Sequence, residues 1–82
     1  MNRNEVFQKV VEICKDIFDE ETLEITEKTS PADISEWDSL AQLSLVNEIE
    51  EAFDVAFDLD DVSAGKSIGE IIDAVMKYIE KQ

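Results

Sequence analysis

Between Asn2 and Phe18 the apolar residues fall at Val6, Val10, Ile13, Cys14 and Ile17, in steps of three and four, with Phe7, Val11 and Phe18 widening the stripe. That period puts one apolar face on a helix. Asn2 followed three residues later by Glu5 has the spacing of a capping box, so the pattern predicts a first helix beginning at Asn2. From Asp19 to Asp38 the period lapses, and "DEETLEITEKTSPADISEWD" contains Thr22, Thr26, Thr29, Ser30 and the only proline, Pro31. It reads as a long ordered connection held to the core by Leu23, Ile25, Ile34 and Trp37, since a connection of this length needs anchors or a function. Ser30 and Asp33 around Pro31 predict one short helical turn over Pro31 to Ser35.

Helical spacing resumes at Leu40, Leu43, Val46, Ile49 and Phe53, supplemented by Leu45 and Ala52. Asp38 stands where an N-cap belongs, which starts the second helix at Ser39. A brief turn is predicted from Leu59 to Ala64, capped by Asp58 and stopped by Gly65. Ser67 and Glu70 form another capping box, and Ile68, Ile71, Ile72, Val75, Met76 and Ile79 trace the steadiest stripe in the chain. With no strand-type alternation, these stripes can be buried only against one another. The predicted fold is all-α: a small four-helix bundle of three main helices and one short one, with a long first connection, in a single domain over residues 1–82.

Composition narrows the function. Eighty-two residues, 44% of them hydrophobic, supply one small core and little room for a lined catalytic cleft. Twenty-one Asp and Glu against seven Lys and Arg leave a net charge of -14, which repels nucleic acid and anionic membranes and attracts basic patches on other proteins. The one cysteine, Cys14, excludes an intrachain disulfide, and without histidine there is no Cys/His metal site. No apolar run reaches the length of a membrane span, and the first residues lack a long apolar leader segment. The expectation is a soluble, cytoplasmic monomer with no metal centre. "DLDDVSAGKSIG", Asp58 to Gly69, lacks the mid-loop glycine and final glutamate of a calcium loop.

Ser39 raises the central chemical question. A hydrolytic serine needs a base, normally histidine, and this chain has none. Asp38 is adjacent, but an N-capping carboxylate is committed to backbone N–H groups and is a weak base. No catalytic residue is therefore assigned. The first turn of a helix does suit an anion such as a phosphate ester, because its N–H groups are unpaired and its dipole end is positive. On local grounds two readings stand side by side: a plain helix cap, and an attachment point.

"DSL", Asp38 to Leu40, at a loop-to-helix boundary near mid-chain, followed by "VNEIEEAFDVAFDLDD", resembles the second helix of acyl carrier proteins, and the similarity covers nearly the whole chain. The resemblance implies that a phosphopantetheinyl transferase joins 4'-phosphopantetheine from coenzyme A to Ser39, flanked by Asp38 and Leu40, making the chain a phosphoprotein and supplying the catalytic groups it lacks. It implies a thioester-bound acyl or aminoacyl cargo, passed from an acyl-loading ligase or acyltransferase to condensing or transfer enzymes in fatty acid or polyketide biosynthesis. Basic patches on those clients would meet Glu50 and Glu51, with Glu48 and Asp54 beside them, and Leu40 would be an exposed apolar contact. In the fatty-acid branch an acidic residue commonly lies five positions after the modified serine and an apolar one eight after; here they are Ser44 and Asn47. Glu36 and Trp37 replace the usual small pair, and "SPADISEWDSL" is similar to stand-alone carriers of specialised clusters. An apolar cargo would require the core to part between residues such as Val46, Ile49, Ile71 and Val75. The alternatives are a carrier for general fatty acid synthesis and, in a different class, an acidic helical adaptor with no covalent arm.

Overall fold

The computed structural model describes residues 2–19, 24–62 and 65–80. Among the described residues three α-helices, α1 (Arg3–Phe18), α2 (Ser39–Phe53) and α3 (Ile68–Glu80), are joined by the long first connection and by a segment containing a 3₁₀ turn, Leu59–Val62. Among the described residues there is no strand. Within the described residues the predicted fourth helix is a single 3₁₀ turn, and Ala64, its expected end, lies outside them. Asp61 N–H donates to the Asp58 carbonyl at 3.0 Å and Asp61 Oδ2 accepts from Asp58 N–H at 3.2 Å, which closes the turn locally.

The helix starts follow their capping residues. Asn2 Oδ1 accepts from Glu5 N–H at 2.9 Å, and Glu5 Oε1 accepts from Asn2 N–H at 3.2 Å, satisfying two donors at the start of α1. Ser67 and Glu70 do the same for α3, at 3.0 and 3.2 Å. Both α1 and α2 end on an aspartate in the left-handed region, Asp19 at φ 51° and Asp54 at φ 54°. Each donates its N–H back into the last turn, to the carbonyls of Lys15 and Glu50 respectively.

α1 packs against both α2 and α3. Val6, Val10 and Cys14 from α1, Leu45 and Ile49 from α2, and Ile68, Ile71, Ile72 and Val75 from α3 are completely buried. Each large aliphatic side chain withdrawn from water in this way contributes about 1.5–3 kcal/mol. Burial pushes the Cys14 thiol up to about 12, so it is a small core residue and not a nucleophile.

The buried face of α2 differs from the predicted stripe. Leu45, Ile49 and Phe53 are buried at strict four-residue steps, whereas Leu40 is 75% exposed, as the resemblance implied, and Leu43, at 62%, and Ala52 are exposed against the stripe. Five apolar residues in the first half of α2 overfill one face, and packing against α1 selects the set that continues through Ile49 and Phe53.

The first connection is anchored as expected by Ile34 and Trp37, both buried, and by half-buried Ile25; Leu23 and Thr22 lie outside the described residues. The predicted helical turn over Pro31 to Ser35 is instead two successive turns, at 31–33 and 35–36. Asp33 Oδ2 holds Ser30 N–H at 3.0 Å, and Trp37 N–H donates to the Ile34 carbonyl at 3.1 Å, directing both anchors inward. The connection also reaches α3: Ile68 N–H donates to the Thr29 carbonyl and Gly69 N–H to the Glu27 carbonyl, each at 2.8 Å. Arg3 fastens this junction, its guanidinium bonded to Glu27, to Asp73 and to the Gly69 carbonyl.

Candidate functional site

The long connection delivers Asp38 to the start of α2, where its Oδ1 accepts from Ala41 N–H at 2.9 Å and its carbonyl accepts from Gln42 N–H at 2.9 Å. Ser39 is therefore the first residue of the helix. The N–H groups of Ser39 and Leu40 precede any intrahelical acceptor. Ser39 is exposed, and its hydroxyl forms no hydrogen bond among the described residues. With the Asp38 carboxylate turned to Ala41 and no histidine in the chain, nothing here activates that hydroxyl.

A cleft of about 290 Å³ opens beside Ser39, lined by Pro31, Trp37, Asp38, Ser39, Gln42 and Gly65. Trp37 is 5% exposed and stacks obliquely near Phe18, ring centres 5.9 Å apart. Its indole Nε1–H donates to Gln42 Oε1 at 2.6 Å, and Gln42 Nε2 donates to the Val62 carbonyl at 2.9 Å. This chain of bonds ties the first connection, α2 and the 3₁₀ turn together at the cleft. Trp37 is thus the anchor expected from its size and also part of the wall next to Ser39. Gln42 and Gly65 were not legible as site residues; the one available signal was that Gln42 lies three positions after Ser39 on the same helix.

Farther along α2 the remaining candidates line two adjoining depressions that share Asn47 and Glu51. Ser44, Asn47, Glu48 and Glu51 line a shallow groove with Asp16 and Ile17 of α1. Asn47, Glu50, Glu51 and Asp54 flank the other end with Val55 and Ala56. Glu50 also has a structural role, since its Oε2 accepts from Phe57 N–H at 2.9 Å and holds the segment that leaves α2. From Ser39 to Asn47 the helix carries no charged side chain, and then four acidic residues follow within Glu48 to Asp54. At 1.5 Å per residue, Glu51 lies about 18 Å along the axis from Ser39. Leu40 and Leu43 are the exposed apolar residues of the uncharged half.

A serine presented on a helix start with no base beside it matches what a family comparison finds. Residues 8–75 match the family model described as "Phosphopantetheine attachment site". The chain belongs to this family. It is 31% identical over 78 residues to an acyl carrier protein of Rubrobacter xylanophilus, covering 95% of this chain and 96% of that one. The solution NMR structure of a holo acyl carrier protein from Geobacter metallireducens superposes with a TM-score of 0.83 at 28% identity, covering 93% of this chain and 87% of that one.

The protein is accordingly an acyl-carrier-type chain, a carrier and not an enzyme, and its cofactor is covalent 4'-phosphopantetheine. The residues at the α2 start fit such a group: an exposed hydroxyl, adjacent N–H groups at a helix N-terminus and an open cleft. A carrier works with biosynthetic enzymes and a phosphopantetheinyl transferase. The adaptor reading, which needed no covalent arm, is set aside by the family. Among the described residues no helix is long and apolar enough to cross a membrane, and no group of His, Cys, Asp or Glu is arranged to hold a metal ion.

Proposed function

We propose that Ser39 carries the 4'-phosphopantetheine arm and that α2 is the surface read by client enzymes. The observation that carries this reading is the exposed Ser39 hydroxyl, without a hydrogen-bond partner among the described residues, on the first residue of α2. Ser39 Oγ forms the phosphodiester while the pyrophosphate bond of coenzyme A breaks and adenosine bisphosphate leaves; the hydroxyl proton passes to a base on the transferase. Asp38 keeps the helix start ordered and the Ser39 and Leu40 N–H groups near the ester's negative charge. When bound, the arm supplies a terminal thiol that holds an acyl or aminoacyl cargo as a thioester.

Client recognition divides along α2. Leu40 and Leu43 offer apolar contact near Ser39, while Glu48, Glu51, Asp54 and the outer edge of Glu50 attract basic patches on a loading ligase or acyltransferase and on condensing or transfer enzymes. Ser44 and Asn47, lining the groove between those regions, and Trp37 beside Ser39 support a specialised pathway over general fatty acid synthesis. The carrier works as a cytoplasmic monomer.

Intact mass after incubation with coenzyme A and a broad-specificity transferase tests the assignment. One phosphopantetheine adduct is expected on the wild-type chain and none on Ser39→Ala. A chain that stays unmodified, or an adduct that survives Ser39→Ala, overturns it.

A further inference from the structure

The cleft beside Ser39 is built from three separate parts of the chain: Pro31 from the first connection, Trp37, Asp38, Ser39 and Gln42 around the start of α2, and Gly65 beyond the 3₁₀ turn. Its volume of about 290 Å³ is roughly that of ten water molecules at about 30 Å³ each. Apart from the Ser39 hydroxyl, the polar side chains at its edge already have partners, Asp38 Oδ1 with Ala41 N–H, and the Gln42 amide with both Trp37 and the Val62 carbonyl. With an indole and a proline ring in its wall and the Gln42 amide already bonded, the cleft away from Ser39 and Asp38 favours apolar matter. Gly65, at φ 92°, adds no side chain to the opening.

Resting on the reading that Ser39 carries the arm, we infer that this cleft seats the phosphate-proximal segment of the arm, with its gem-dimethyl carbon against Trp37 and Pro31. That quaternary carbon is four bonds from the serine oxygen, so attachment forces it to the neighbourhood of the cleft. Withdrawing its two methyl groups from water favours the seated position. The thiol end and its cargo extend beyond the seated segment, within reach of clients. Gln42 is a positioning residue here: its two hydrogen bonds hold the indole edge and the 3₁₀ turn at the spacing the segment needs.

Trp37 is the only tryptophan, so its ring gives one unambiguous set of NMR signals. The experiment compares the unmodified full chain with the same chain after transferase treatment, with complete modification of Ser39 verified by mass. Expected are nuclear Overhauser contacts from the arm's methyl protons to the Trp37 ring, and upfield, separated methyl resonances relative to free coenzyme A. In Trp37→Leu the methyl resonances return to the free positions while Ser39 is still modified. Methyl signals at the free positions, without contacts to Trp37, in fully modified wild-type protein overturn the inference and leave the attachment reading standing. Failure of Ser39 to accept the arm overturns both. If Trp37→Leu does not fold, the wild-type spectra decide alone.

Discussion

At the scale of single residues, the junction between the first connection and α3 depends on one missing side chain. A Cβ added at Gly69 would stand 2.9 Å from the Glu27 carbonyl oxygen and 3.2 Å from Glu27 Cβ and Oε1. Gly69 N–H also donates to that same carbonyl, so the backbones cannot separate without losing the bond. Gly69→Ala is expected to destabilise the protein by about 1–3 kcal/mol, the usual cost of overpacking. Thermal unfolding followed by circular dichroism measures it, and an unchanged midpoint would contradict the close approach. Gly69 reads in the sequence only as a helix-weakening residue in the first turn of α3, because its constraint comes from Glu27, forty-two positions away. Asp38 and Asn2, by contrast, are legible because a cap and the N–H it serves are three residues apart.

At the scale of elements, α2 is arranged against its own stability. Glu48, Glu50, Glu51 and Asp54 crowd its negative dipole end, and the last turn has no basic residue. One of these carboxylates, Glu50, gains a backbone donor there, from Phe57. Glu51→Lys is expected to raise stability by about 0.3–1 kcal/mol while slowing association with clients and flattening its dependence on salt. Unfolding curves and association rates at two ionic strengths check both halves. A variant that is more stable and equally fast would show that clients do not read Glu51. The location of α2 was legible from Asp38 and the helical period. Its buried face was legible only in part: the resemblance implied an exposed Leu40, but by period Leu40 and Leu43 fit as well as Leu45 does, and contact with α1 separates them.

At the scale of the whole molecule, a net charge of -14 on a chain this small makes the folded state repel itself. Raising ionic strength from low salt is expected to raise the melting temperature, since the Debye length falls to about 10 Å near 0.1 M. Invariance with salt would contradict it. Acid acts through specific groups. Glu27 is held below the usual carboxylate range by hydrogen bonds from Arg3, Asp61 by the Tyr78 hydroxyl and Lys77, and Glu70 by Ser67. A carboxyl with a depressed folded pKa binds fewer protons folded than unfolded, so its stabilisation is full above the unfolded value of about 4 and is lost as pH falls through the folded one. Stability is therefore expected to drop below about pH 4, as the bonds joining α1, the first connection, the 3₁₀ turn and α3 are protonated away. Unfolding measured from pH 3 to pH 7 at constant salt tests this, and undiminished stability at the acid end would refute it.

The sequence by itself determined where the helices begin, that they bury stripes against one another, and that Ser39 has no base of its own. These depend on residues within one helical turn or on composition. Tertiary structure decided that Leu43 faces solvent while Leu45 is buried, that the described part of the fourth helix is a 3₁₀ turn, and that Pro31, Trp37, Gln42 and Gly65 form a cleft around Ser39. Those outcomes depend on hydrogen bonds and packing between residues distant in the chain, such as Gln42 and Val62, whose pairing no local period encodes.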